Sequence, residues 1–232
     1  MPIKGLMDRP RLPRLGKIHL GEKVEPAGGK PSYPRATPWF VCPPAVQAVF
    51  GPQPTVLRIA FATEEPDQWA SVFYRAYGGR GLVCRGDGEK ASRLVDMEKA
   101  VDPQTGALPQ ELHPRLWPTA SRESANTAYQ EIECPPDTCP EYLQKRCRPV
   151  MNLQFLLPEV EGLGIWQIDT SSWNSMRNVL SGIEMIRTLV GRVSLIPLTL
   201  SLIPQEVQPE GVPKHTVHVL QLTAPYKLAE LF

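Results

Sequence analysis

Between residues 150 and 204 the spacing of apolar positions changes period twice, and this stretch predicts the longest continuous secondary structure in the chain. Residues 150–157 and 164–168 carry short apolar and aromatic runs, split by Pro158, Gly162 and Gly164, the pattern of two strands. From 173 to 190 the spacing becomes three and four. Trp173, Met176, Val179, Leu180, Ile183, Ile186, Leu189 and Val190 make the apolar side of a predicted helix, and Arg177, Asn178, Glu184 and Arg187 its polar side. Asp169, Thr170, Ser171 and Ser172 stand just before it, each able to accept from a first-turn amide, and Gly191 is placed to end it. Residues 193–202 then alternate around Pro197, as a strand with an edge or bulge at the proline does. Strand, helix and strand with short connections predict a crossover unit, two parallel strands covered on one face by the helix. The expected fold is therefore α+β, with a ferredoxin-like crossover core.

The rest of the chain is more broken. Strand-like runs surround Trp39 and Val56, and residues 69–77 are aromatic-rich with the spacing of either a short helix or a buried strand. Gly78, Gly79, Gly81, Gly86 and Gly88 follow. The segment from Gly86 to Ala91 formally fits a dinucleotide fingerprint, but no buried parallel strand leads into it, so a plain loop is expected. Residues 93–127 are polar and proline-interrupted, which predicts a solvated linker carrying Asp96, Glu98 and Asp102. Residues 216–222 read as a last strand, with 226–232 as a terminal turn packed on the core. His215 and His218, three apart on that strand, point to opposite faces, and with His19 and His113 they make no site.

Composition changes this picture in two ways. Proline, at 26 of 232 residues, is about twice its average usage, which favours ordered but irregular connections. The formal charge of +1 gives no global field for nucleic acid, so any such contact must come from a local patch. One patch is the amino end, where Lys4, Arg9, Arg11, Arg14, Lys17 and Lys23 are spread through prolines and glycines that forbid a long helix. Only 17–20 there predicts a short strand. Such an arm can lie along a phosphate backbone, or it can be a tail tied down by Leu12, Leu15, Ile18 and Leu20. No apolar run reaches the roughly 18 residues of a membrane helix, and no secretory apolar core opens the chain, so a cytoplasmic protein is expected.

In a reducing compartment five cysteines are thiols or metal ligands rather than disulfides. Cys134, Cys139 and Cys147 fall close together among Pro135, Pro136 and Pro140, with Cys84 upstream as the fourth ligand of an expected structural zinc site. An iron-sulfur cluster uses the same ligand type. Cys42 is left over as a core thiol. The expected organisation is a basic arm over 1–32 and a single domain over 33–232, with the cysteine-clamped insertion at about 78–149. No Cys/His pairing, phosphate-cradling loop or nucleophile elbow is present in the sequence, and a non-enzymatic role is expected.

The segment RLPRLGKIHLGEK at 11–23, the spaced cysteines, and LQFLLPEVEGLGIWQIDTSSWNS at 153–175 resemble the phage-type recombination directionality factors that partner large serine integrases. That resemblance implies a small accessory protein without catalytic residues, one that binds the integrase and tips site-specific recombination towards excision. A second resemblance rests on GLGIWQIDTSSWNSMRN at 162–178, which is similar to the ferredoxin-like core of RNA-binding subunits in CRISPR effector complexes. It implies a guide RNA held by Arg177, Arg187, Arg192 and the basic arm, with Trp166 or Trp173 stacked on a base.

Overall fold

The structure is a computed structural model that describes residues 12–26, 32–108, 117–208 and 211–227. Lys4, Arg9, Arg11, His113 and the end of the expected terminal turn lie outside the described residues. In chain order come β1 (Arg14–Val24), β2 (Tyr33–Val41), α1 (Pro44–Phe50), β3 (Val56–Ile59), α2 (Pro66–Trp69), β4 (Ala70–Gly78), β5 (Gly81–Gly86) and β6 (Lys90–Asp96). There follow α3 (Met97–Ala100), β7 (Thr127–Glu133), α4 (Pro140–Leu143), β8 (Cys147–Phe155), β9 (Ile165–Thr170), α5 (Trp173–Val190), β10 (Leu198–Val207) and β11 (His215–Thr223). The protein is thus a mixed α/β chain dominated by strands. It divides into two compact units, the first made of Met1–Ser71 and Asn152–Phe232, the second of Val72–Met151.

In the first unit the sheet order is β2-β1-β9 and then the part of β8 from Asn152 on, and a separate sheet runs β11-β10-β3. β2 is an edge strand, where Pro34 and Pro38 are tolerated because the missing amides face no partner. β10 pairs with both neighbours over Thr199, Leu200 and Ser201, but Pro204 lies beyond the reach of β3 and faces only His218 of β11. The core is aliphatic and aromatic: Ile18, Phe40, Leu57, Phe61, Ile168, Leu200 and Leu220 are fully buried, and Phe61 stacks on Trp69 at 4.1 Å.

α5 forms where the apolar spacing predicts it, over Trp173–Val190. Ser172 accepts from the amide of Ser175, and Gly191, in the left-handed region, closes the last turn. The helix packs on β11. Gly182 makes this approach close, since a Cβ there would stand 2.7 Å from the Leu222 carbonyl oxygen. Ser175, buried in the same face, accepts from the Leu220 amide through its hydroxyl and so satisfies a donor on an edge strand.

Several expectations are corrected. The ferredoxin-like crossover over β9, α5 and β10 is not formed, because β9 and β10 belong to different sheets. β9 instead runs parallel to β1, a partner distant in sequence that no local periodicity reveals. The strand expected at 193–202 starts only after Pro197. Trp173, Leu180 and Leu189 are exposed rather than packed, since the stripe facing β11 is filled by Met176, Val179, Ile183 and Ile186. The short strand expected at 17–20 is the middle of the eleven-residue β1.

In the second unit β4, β5, β6 and β7 follow one another as antiparallel neighbours in the order β4-β5-β6-β7. Residues 70–77 are thus strand rather than helix. The segment from Gly86 to Ala91 is the hairpin turn between β5 and β6, where the Asp87 carboxylate accepts from the amides of Glu89 and Lys90 at 2.8 Å each. The stretch expected as a solvated linker is ordered in part. Val95, Ala100 and Trp117 form a small core, and Asp96 is buried, accepting from the Ser124 hydroxyl at 2.6 Å while capping α3. Too few apolar residues lie along 93–127 for a local pattern, and the cluster closes only when distant segments meet.

Candidate functional site

Cys84, Cys134, Cys139 and Cys147 line one cavity in the second unit. They arrive on four different pieces of chain. Cys84 lies in β5, Cys134 follows β7, Cys139 precedes α4, and Cys147 opens β8. The hairpin register carries Cys84 towards the others: β5 pairs with β6 through Cys84 and Arg93, and β6 pairs with β7 up to Lys90 and Glu133. The Cys134 amide donates to the Glu89 carbonyl at 2.7 Å, which ties the first residue after β7 to the β5–β6 turn.

Between Cys134 and Cys147 the chain is held by its own backbone. A 3-10 turn at Pro136–Thr138 leads into α4, and the amides of Tyr142 and Leu143 donate to the Cys139 carbonyl at 3.1 and 3.0 Å. The prolines at 135, 136 and 140 restrict the same turn.

Gly86 makes room for a sulfur. A Cβ at that position would collide with Cys134 Sγ and would stand 2.8 Å from the Ala91 Cβ. Any larger residue must displace the thiol or the hairpin. Ala76, Val83, Ala91 and Ile132 give the walls an apolar part, Glu133 lies in the lining as well, and Tyr74, also in the lining, is edge-on to Tyr142 at a centroid distance of 5.5 Å. Arg93, almost wholly buried, enters the lining and hydrogen-bonds Thr119, while Glu141 stands 3.9 Å from Arg93 and 3.1 Å from Arg146.

Burial pushes the Cys147 thiol up to about 12, and the neighbouring Cys139, Cys84 and Cys134 push in the same direction. Each thiolate formed in this place makes the next more costly. Cys42, in the first unit, is also raised, to about 11, by burial alone. None of the five cysteines is in a disulfide. Among the described residues no three His, Cys, Asp or Glu side chains converge tightly enough, as they stand, to hold an ion.

The expected nucleic-acid residues do not gather in the same way. Arg14 and Lys17 project from β1 into a polar network: Arg14 donates to Gln167 at 3.2 Å, and Lys17 pairs with Asp169, which also accepts from Gln167 at 2.6 Å and from Asn152. A register shift in β1 between Arg14 and Gly16 turns both side chains to the side of Gln167 and Asp169. Burial alone would raise the Asp169 carboxyl, but Lys17, Gln167 and Asn152 outweigh it and hold it below the ordinary value. Lys23 pairs with Glu25 at 3.3 Å. Arg187 donates to the Glu64 carbonyl at 3.1 Å and approaches Glu184. Arg177 and Arg192 are exposed, with no ion pair among the described residues, and Trp173 is 57% exposed at the start of α5. Trp166, by contrast, is core.

Tyr74, Gly86, Arg93, Thr119 and Glu141 at the cysteine cavity were not singled out from the sequence for this role. Gly86 alone left a trace, as one of several glycines in a turn.

No described helix is long and apolar enough to cross a membrane. A family model described as Gp3-like, recombination directionality factor-like, matches residues 15–225, and the chain belongs to that family. Comparison with curated proteins finds no match, and comparison with solved structures finds none. The resemblance to RNA-binding CRISPR subunits gains no support, and the crossover on which it leaned is not formed.

Proposed function

We propose that this protein is an accessory factor of a site-specific recombinase, which binds a large serine integrase and shifts its output from integration to excision, without chemistry of its own. The observation that carries this reading is the family match, which runs through both units. The outward side of α5 is the surface the reading favours for the partner. Trp173, Arg177, Leu180 and Met185 are all exposed there, and tryptophan and arginine dominate the energetics of protein interfaces. Direct contact with DNA falls to Arg177 and Arg192, because the basic residues of β1 already have acceptors.

The test is a recombination assay with purified integrase from the same genome, on integration and excision substrates, with and without this protein. Excision stimulated and integration suppressed is the expected result. A folded protein that alters neither ratio overturns the proposal. Trp173→Ala combined with Arg177→Ala alters two residues on the exposed side of α5, and is expected to weaken capture of the integrase while leaving the melting temperature near that of the parent.

A further inference from the structure

The geometry points to a structural metal site in the second unit, a single Zn²⁺ held by the thiolates of Cys84, Cys134, Cys139 and Cys147. The inference is independent of the recombination reading, since metal content is read on the isolated protein.

Four residues drawn from separate pieces of chain line the same cavity, while the fifth cysteine, Cys42, belongs to the other unit. Four sulfurs are the donor set that tetrahedral Zn²⁺ takes in closed structural sites. The sulfurs line a wall rather than meet at a point, but a cysteine sulfur is repositioned by one side-chain torsion among staggered wells. The backbone that carries them is already fixed by the β5–β6 and β6–β7 pairings and by the amide bonds around Cys139.

Three further features fit this ion. Gly86 leaves the volume of a side chain to the Cys134 sulfur. Arg93, buried in the lining, supplies positive charge beside what becomes a dianionic centre when four thiolates surround a divalent cation. The unit is also short of other cement, because two of its core clusters are only Ala76, Val83 and Cys147, and Ala91, Ile132 and Cys134, so each already ends on a member of the set. Domains with cores this thin usually need a metal or a crosslink. Binding converts four thiols to thiolates and releases their protons to solvent, with no change of oxidation state.

The experiment uses the full chain, purified under reductant, with zinc measured by mass spectrometry and Co²⁺ substituted as a spectroscopic probe. About one equivalent of metal is expected, with the intense thiolate-to-cobalt charge-transfer bands and visible bands of a tetrahedral sulfur site. Cys42→Ser is expected to keep both. Cys139→Ser is expected to lose metal, and Cys139→His, which supplies nitrogen in place of sulfur, to recover binding with a shifted cobalt spectrum even where the serine variant folds poorly. The inference is overturned by reduced, folded protein that takes up neither metal, by binding that depends on Cys42, by a Cys139→Ser variant with an unchanged cobalt spectrum, or by a disulfide between two of the four under reductant.

Discussion

The two units hold themselves together by different means. Of the twelve largest fully buried side chains among the described residues, eleven lie in the first unit and one, Met151, at the end of the second, so the large buried aliphatics and aromatics are concentrated in the first. Among the described residues, the second buries its apolar side chains in small clusters, centred on Cys147 with Val83, on Cys134 with Ile132, and on Trp117 with Val95. Burial at roughly 25 cal/mol per Å² rewards the first arrangement much more than the second. The lesson is that the cysteines are concentrated where apolar burial is weakest, so their role is best sought in holding a fold.

The largest effect that separates the units should come from metal removal. Chelation is expected to strip hydrogen-exchange protection from amides of β5, β6 and β7 while those of β10 and β11 keep theirs. Equal loss in both units, or none in either, would break the contrast.

Core truncation sharpens it next. Phe61→Ala removes a fully buried ring stacked on Trp69 and should cost about 3–5 kcal/mol, whereas Val83→Ala in the second unit should cost about 2 kcal/mol or less by urea denaturation. Equal costs would mean that the second unit has a tighter core than its clusters indicate.

Acid gives the smallest and most similar response. Asp96 in the second unit is held below its ordinary value chiefly by the Ser124 hydroxyl, and Asp169 in the first by Lys17, Gln167 and Asn152 against the opposing effect of burial. Both carboxyls are depressed, so the stability they contribute is complete above the unfolded value of about 4 and is lost as pH falls through the folded one. Asp96→Asn and Asp169→Asn should each flatten the fall in melting temperature below that pH. A parent protein whose melting temperature rises on acidification would contradict the sign.

Much of this was legible along the chain because it is local. α5 occupies the predicted residues because its start and stop signals, Ser172 and Gly191, lie within a turn of the elements they cap. The thiols at 134, 139 and 147 are close enough in sequence to be read together. Strand pairing was not legible. β9 chose β1 rather than β10, a partner separated from it by most of the chain, and that choice removed the crossover expected from strand, helix and strand. The same nonlocality gave Arg14 and Lys17 of β1 their partners Gln167 and Asp169.

By itself, the order of residues determined the period and the caps of α5 and the supply of sulfur donors, since each depends on neighbours a few positions away. Only the tertiary structure decided which strands lie side by side, and which apolar residues of α5, Trp173, Leu180 and Leu189 among them, are left facing solvent. Those outcomes turn on contacts between segments far apart in sequence, whose free energy is released only once the intervening chain has been brought together.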